Sequence, residues 1–133
     1  MTLVDTRLTV RTGISACLVV SGYVHAYLYV DGYRSIPAIG PSFLLQASLS
    51  FALAVLILAG GPWWLTAAAA ALALGALAAF ALSRTVGVFG FTEVGWQPTP
   101  YGALAVIAEV LTIVLGAAML IRARTNRTHP SMI

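Results

Sequence analysis

Apolar residues run in four long stretches along this chain, separated by short segments that hold most of the polar residues. The stretches cover about residues 13–30, 39–59, 63–83 and 101–121, each near the roughly 20 residues that a helix needs to cross a bilayer. Pro37 precedes the second stretch, and Gly60-Gly61-Pro62 ends it, as is typical of helix boundaries. The pattern predicts an all-α fold, an integral membrane four-helix bundle in which residues 1–133 form a single transmembrane domain.

Composition supports this environment, because 60% of the residues are hydrophobic and only 8% are charged. A soluble domain of this size cannot cover so much apolar surface. The chain lacks a basic face for nucleic acid, a nucleotide-binding glycine loop, a paired-cysteine metal site and a nucleophile-elbow serine. His129 lies on the polar tail, too far from His25 for a bis-histidine haem within one chain. We therefore expect no nucleic-acid partner, cofactor or metal, and a non-catalytic role is favoured over an enzymatic one.

The arginines predict the orientation in the membrane. They supply every basic charge of this alanine-rich chain, which is typical of a GC-rich bacterial genome. Five lie on the side of the termini, namely Arg7, Arg11, Arg122, Arg124 and Arg127, and Arg34 and Arg84 lie on the other side. Because positively charged segments stay in the cytoplasm, we expect a multi-pass protein of the bacterial inner membrane, with both termini cytoplasmic and membrane lipids as partners.

Three strongly polar side chains interrupt the apolar stretches: His25, Gln46 and Glu109. At a rise of 1.5 Å per residue, they lie about 8, 10 and 12 Å from the outer ends of their helices, and so share one depth in the outer half of the bilayer. Strongly polar residues in a membrane are costly and need a partner or a function.

Two interpretations of this intramembrane polar cluster stay open. In the first it is a site, with Glu109 as proton acceptor or cation ligand, His25 as its titratable partner and Gln46 as an orienting hydrogen-bond donor. In the second, the side chains hydrogen-bond across the bundle and set the helix register, at about 0.6 kcal/mol per contact. Whether they meet depends on helix rotation, which depth alone does not specify, and whether Glu109 is charged depends on how far desolvation disfavours its ionised form.

A second set of candidates lies on the outer face: Tyr33, Arg34, Arg84 and Glu93. Arginines there oppose the orientation rule, so they are expected either to bind lipid phosphates or to pair with acidic residues, Arg34 with Asp31 and Arg84 with Glu93. Tyrosines near a membrane boundary are typical anchors, and the aromatic residues of the long loop, residues 85–100, are expected at headgroup level.

Small residues recur every four positions along the third stretch, at Ala67, Ala71, Gly75 and Ala79, and Gly116 adds a small position on the fourth. Such a small-residue ridge lets another helix approach closely. The second helix belongs either to this bundle or to a different subunit. Because alanine is a poor filler of the acyl region, the pattern favours a protein partner.

Three local motifs carry a resemblance to a known family: His-x-Tyr at His25 to Tyr27, Tyr-Arg-x-Ile-Pro-x-Ile-Gly at Tyr33 to Gly40, and Gly-x-Phe-Gly-Phe at Gly87 to Phe91. In these the chain resembles uncharacterised actinobacterial small four-helix membrane proteins that are loosely DoxX-like. The resemblance implies the four-helix topology and a link to quinone or thiol redox systems. Cys17 is the single cysteine, so the chain lacks the cysteine pair that a thiol redox function would need. It also suggests a lipid importer of the mammalian-cell-entry type as a host complex.

Two functions follow as expectations. The first is a non-catalytic accessory subunit of a larger inner-membrane complex, because the chain is small and carries the ridge; the resemblance suggests a lipid transporter of the mammalian-cell-entry type as that complex. The alternative is a stand-alone DoxX-like membrane protein that binds a quinone or another lipid-soluble ligand in the outer half of the bundle, since four-helix bundles can hold ligands between facing helices.

Overall fold

The computed structural model describes residues 2–128, so His129 lies outside the described residues. Within this range the chain forms four α-helices, α1 (Leu3–Asp31), α2 (Ile39–Leu58), α3 (Trp63–Ser83) and α4 (Tyr101–Thr128), and a 3₁₀ turn at Tyr33–Ser35, without a β-strand. Each α-helix is long and apolar enough to cross a membrane. The predicted all-α fold is confirmed, and four helices of this kind indicate a multi-pass membrane protein.

Two helices extend beyond the apolar stretches that predicted them. α1 begins at Leu3 rather than near residue 13, because Thr2 and Asp5 form a capping box. The Asp5 amide donates to Thr2 Oγ1 at 3.3 Å, and the Thr2 amide donates to the Asp5 carboxylate at 3.1 Å. α4 continues to Thr128, past the predicted end near residue 121. The arginines near both termini therefore lie on helices rather than in irregular segments.

α1 packs against α2 and α4, and both neighbours run antiparallel to it. Ser15 Oγ donates to the Ala54 carbonyl of α2 at 2.9 Å, and further along α1 Ser21 contacts Glu109 of α4. The helices run up and down in turn, so both termini lie at one end of the bundle and the loop at residues 85–100 lies at the other. The buried core near the termini consists of Ile14, Leu18, Ala54, Ile57, Leu65 and Ala69.

α3 packs on α4 with a face that does not coincide with the small-residue ridge. Gly116 of α4 is buried in this contact, where a Cβ would meet Thr66 Cγ2 at 3.5 Å. The buried residues of α3 are Leu65, Thr66, Ala69, Ala73 and Ser83. In contrast, Ala71, Gly75 and Ala79 are exposed, Ala67 is half-buried, and a Cβ at Gly75 would meet nothing within 4 Å. Most of the ridge therefore does not pack inside this bundle.

The loop between α3 and α4 folds back over one end of the bundle. The Glu93 amide donates to the Ser83 carbonyl at 2.9 Å, which draws the loop onto the end of α3. Gly102 allows the loop backbone at Trp96 to lie close to the start of α4, because a Cβ at position 102 would be 2.6 Å from the Trp96 carbonyl oxygen. We call this the loop end of the bundle and the opposite end the termini end.

Candidate functional site

A cavity of about 400 Å³ lies among the four helices at the loop end, and we call it the loop-end cavity. The whole predicted polar cluster lines it: His25, Gln46 and Glu109. The cavity is also lined by Tyr33, Arg84 and Glu93 of the predicted outer face, by Ala71, Gly75 and Ala79 of the ridge, and by Phe43, Phe91 and Tyr101, which the sequence analysis did not connect to the cluster. Most of the candidate residues thus converge on one space.

Ser21 joins His25 and Glu109 into one group. His25 Nδ1 donates to the Ser21 carbonyl, one helical turn earlier on α1, at 2.8 Å. The Ser21 hydroxyl donates to Glu109 Oε1 of α4 at 3.2 Å. His25 Nε2 is 4.0 Å from the same oxygen, which is too long for a hydrogen bond but short enough for an ion pair when both groups are charged. Two residues at one predicted depth do meet in space.

The hydrogen bond at Nδ1 determines what His25 presents to the cavity. A carbonyl oxygen can only accept, so Nδ1 carries the proton. In a neutral imidazole Nε2 is then an acceptor, and it has no hydrogen-bond partner among the described residues. Neutral His25 is therefore suited to accept a hydrogen bond from a ligand hydroxyl, whereas donation to a ligand carbonyl would require a second proton.

Glu109 and Gln46 also bring unused polar atoms to the cavity. Glu109 is only 2% exposed, and its second oxygen, Oε2, has no hydrogen-bond partner within residues 2–128. The half-buried Gln46 side chain likewise makes no hydrogen bond within that range. Polar atoms that line a largely apolar cavity and lack a partner in the protein gain free energy when a ligand supplies one. A ligand that carries hydroxyl or carbonyl groups would therefore be stabilised at this level of the cavity.

Aromatic rings form the wall between His25 and the loop. Phe43 contacts His25 edge to face, with ring centroids 5.0 Å apart, and stacks on Tyr33 at 5.0 Å. Tyr33 meets Phe91 edge to face at 5.8 Å. A phenylalanine in an apolar stretch carries no signal that separates it from core or lipid-facing residues, so Phe43 was missed. Rings in this arrangement favour a ligand that is itself planar.

Tyr33 and Glu93 close the cavity toward the loop. The Tyr33 hydroxyl donates to Glu93 Oε2 at 2.7 Å, which ties the turn after α1 to the loop before α4. Burial, together with the hydrogen bond to Glu93 and its negative charge, raises the pKa of Tyr33 above its usual range. The phenol therefore stays protonated and keeps donating at neutral pH.

Arg84 fastens the loop to the end of α3. Its Nε donates to the Gly95 carbonyl at 2.9 Å, its Nη2 donates to the Gln97 carbonyl, and its guanidinium carbon lies 3.6 Å from the centre of the Phe80 ring. Burial lowers the pKa of Arg84, but a guanidinium group remains charged at neutral pH. A planar group that reaches two carbonyls and an aromatic face acts as a structural clamp.

The ion pairs considered for the outer arginines do not form. Within residues 2–128 neither Arg34 nor Arg84 makes a salt bridge. The loop brings backbone carbonyls to Arg84, while Arg34 is exposed and has no hydrogen-bond partner in the described part of the chain. No salt bridge therefore joins Arg34 to Asp31 or Arg84 to Glu93 within residues 2–128, although the negative charge of Glu93 acts on Arg84 and raises its pKa against the effect of burial.

The loop-end cavity opens sideways between α2 and α3. Leu45 of α2 and Ala71, Gly75 and Ala79 of α3 line the cavity and are also exposed on the surface of the bundle. The small-residue ridge is thus one edge of the opening. A molecule dissolved in the hydrocarbon layer would enter at this seam without crossing the loop.

No group of three or more His, Cys, Asp or Glu side chains that could hold a metal ion occurs among residues 2–128. No protein-family model matches the chain, and comparisons with curated proteins and with solved structures found no match. The chemistry of the loop-end cavity is therefore the basis for a functional proposal.

Proposed function

We propose that this chain is a protein of the bacterial inner membrane that binds a lipid-soluble ligand in the loop-end cavity. The observation that supports this most directly is the convergence of three unused polar groups, His25 Nε2, Glu109 Oε2 and the Gln46 amide, on one partly aromatic cavity. Its volume of about 400 Å³ falls within the range of about 300–1,000 Å³ that is typical of small-molecule sites.

The distribution of arginines supports an orientation with both termini in the cytoplasm. Arg7, Arg11, Arg122 and Arg127 line a second cavity at the termini end, whereas Arg34 and Arg84 lie at the loop end. The excess of positive charge at the termini end favours its retention in the cytoplasm. In this orientation the loop-end cavity lies in the outer half of the bilayer.

The polar atoms and the rings together favour a quinone-type ligand, and its reduced form in particular. A quinol hydroxyl would donate to His25 Nε2, and the Gln46 amide can either donate to or accept from an oxygen on the ring. Phe43, Tyr33 and Phe91 provide aromatic surface for the ring. An apolar tail on the ligand would leave through the seam between α2 and α3, past Leu45 and Gly75.

Thermal unfolding of the purified protein in mild detergent tests this proposal, with a short-chain benzoquinol and the matching benzoquinone as probes. We expect a saturable rise of the Tm with the quinol, a smaller rise with the quinone, and at least a tenfold weaker response in His25→Ala. Arg34→Gln, at the same end but outside the cavity, is the control and should respond like the wild type. Equal responses in the wild type and His25→Ala would remove His25 from the site, and no response to either probe would argue against a quinone.

The exposed edge of α3 favours a second candidate function, that of an accessory subunit of a larger membrane complex. Ala71, Gly75 and Ala79 present a surface that a partner helix could approach closely. A mild-detergent pull-down at native expression level, with native electrophoresis and mass spectrometry, tests for such a partner. Loss of the partner in Gly75→Leu but not in His25→Ala would support the subunit function. A free small particle, or a partner that Gly75→Leu leaves bound, would count against it.

A further inference from the structure

The second cavity, of about 610 Å³, lies at the termini end, and we call it the termini-end cavity. Four arginines from two helices line it: Arg7 and Arg11 of α1, and Arg122 and Arg127 of α4. The turn at Gly60, Gly61 and Pro62 forms one side, and Trp63 begins α3 beside it. In the sequence these arginines indicate the orientation of the chain, and the structure gathers four of them around one space.

Among residues 2–128, no acidic side chain balances the charge of this cavity. Arg11 Nη1 donates to the Ile57 and Gly61 carbonyls at 3.0 and 3.3 Å, so it binds the end of α2. Arg7, Arg122 and Arg127 make no hydrogen bond or salt bridge within residues 2–128. No lining residue is acidic. The cavity therefore presents three guanidinium groups that have no partner in the described part of the chain, and Arg11 as a fourth, to whatever occupies it.

The wall of the cavity toward the bundle is largely apolar. Its apolar residues are Val10 from α1 and Leu115, Ala118, Met119 and Leu120 from α4, and the buried Thr66 of α3 lines the cavity with its hydroxyl donating to Met119 Sδ. A guanidinium group matches a phosphate through paired N–H donors, and an apolar wall beneath it matches an acyl chain. A free inorganic anion would use the arginines but would leave the apolar wall without a partner.

We propose that the termini-end cavity binds one anionic phospholipid, with its phosphate held by Arg7, Arg122 and Arg127 and an acyl chain along Leu115 and Met119. Basic cavities between membrane helices are suited to anionic headgroups. This site is separate from the loop-end cavity and does not depend on a ligand being bound there. It also gives the arginines a specific partner beyond their effect on orientation.

α4 contains its own matched control. Arg124 carries the same charge, lies between Arg122 and Arg127 on the same helix and is exposed, but it does not line the cavity. If the arginines attract lipid only through their combined charge near the headgroups, Arg124→Gln should weaken binding as much as Arg122→Gln or Arg127→Gln. If the cavity is a site, only the lining arginines should matter.

Native mass spectrometry and Tm measurements on the full chain in neutral detergent test the proposal, with phosphatidylglycerol, phosphatidylcholine of the same acyl chains, and inorganic phosphate as probes. We expect one retained phosphatidylglycerol per chain and a rise of the Tm that phosphatidylcholine does not reproduce. Each of Arg122→Gln and Arg127→Gln should weaken phosphatidylglycerol binding roughly fivefold, and the double variant about 25-fold, whereas Arg124→Gln stays within twofold of the wild type.

Three outcomes would overturn this assignment. Equal losses in Arg124→Gln and Arg122→Gln would show a diffuse charge effect. Equal retention of phosphatidylcholine would show that acyl chains alone bind. Equal protection by inorganic phosphate would make a free anion, not a lipid, the occupant. The single variants guard against a fold defect in the double variant, and their Tm without lipid should match that of the wild type.

Discussion

The Ser21 hydroxyl donates to Glu109 Oε1 at 3.2 Å, which joins α1 to α4 in the loop-end half of the bundle. Both residues are buried, and this is the one hydrogen bond that the Glu109 carboxyl group makes within residues 2–128. The Ser21 carbonyl also accepts from His25 Nδ1. One serine therefore positions both ionisable members of the polar cluster.

Replacing Ser21 with alanine should destabilise the bundle, because it leaves a buried carboxyl group without its hydrogen-bond donor. The expected loss is about 1–3 kcal/mol of unfolding free energy, measured by denaturant titration in mixed micelles. Ser50→Ala is a matched control, since Ser50 is also fully buried but its hydroxyl has no hydrogen-bond partner among the residues that the structure describes. That change should be neutral or stabilising. Equal losses in the two variants would mean that packing, not the Ser21 hydrogen bond, sets the effect.

Replacing Glu109 by glutamine or by leucine separates the polarity of this side chain from its size. Glutamine keeps an oxygen for the Ser21 hydroxyl and a polar group toward the cavity, so Glu109→Gln should lower the unfolding free energy by less than about 1 kcal/mol. Glu109→Leu leaves the Ser21 hydroxyl unpaired and should cost about 1–2 kcal/mol more. The same denaturant titration gives both values. A glutamine variant as unstable as the leucine variant would show that the carboxylate charge itself is needed.

The helices could be predicted from the sequence, but two of their ends could not. The lengths of the apolar stretches locate the spans, because a helix needs about 20 apolar residues to cross a bilayer. A helix can continue into water when local capping favours it, as Thr2 and Asp5 do for α1. The polar composition before the first span and after the fourth therefore did not predict that α1 and α4 continue through these segments.

The sequence predicted the depth of the candidate site in the bilayer but not which residues line its cavity. His25, Gln46 and Glu109 stand out because strongly polar residues are rare in apolar stretches. Helix rotation, which brings them to one cavity, follows from tertiary packing. Phe43 belongs to the same wall, yet its residue type is ordinary for a span. The small-residue ridge could be recognised in the sequence, but the face of α3 that packs on α4 is a different one, which contains Leu65 and Thr66.

The hydrogen bond between Tyr33 and Glu93 should stabilise the loop end by about 1 kcal/mol. Tyr33→Phe removes the donor, and Tyr29→Phe, a tyrosine of α1 outside the cavity, is the control. Because the pKa of Tyr33 is raised on folding, the stabilisation is complete below the pKa of about 10 of an unfolded tyrosine and declines as pH rises beyond it. The difference in Tm between wild type and Tyr33→Phe should therefore be constant from about pH 6 to 9 and shrink above about pH 10. A difference that grows at alkaline pH would contradict this assignment.

Arg84 should be irreplaceable by lysine, although both residues are cationic. A lysine ammonium group cannot reach the Gly95 and Gln97 carbonyls and stack on Phe80 at once. In Arg84→Lys, amide hydrogen exchange across residues 85–100 should become roughly tenfold faster, equivalent to about 1.4 kcal/mol of local stability. Arg34→Lys, which replaces an arginine without hydrogen bonds among the described residues, should leave exchange unchanged. Unaltered exchange in Arg84→Lys would show that charge near the loop is sufficient.

Adjacent alanines on α3 can test whether the seam between α2 and α3 is the ligand entrance. Ala79 lines the loop-end cavity, and Ala78 is exposed but does not line it. Leucine at position 79 would fill part of the opening, so Ala79→Leu should keep or raise the unfolding free energy, by up to about 1 kcal/mol, while it abolishes most of the Tm rise with benzoquinol. Ala78→Leu should change neither value. Because a folding defect would lower stability as well as binding, a stable Ala79→Leu protein that no longer responds to quinol identifies a blocked entrance. An Ala79→Leu protein that responds like Ala78→Leu would mean that the ligand does not enter or lie at this seam.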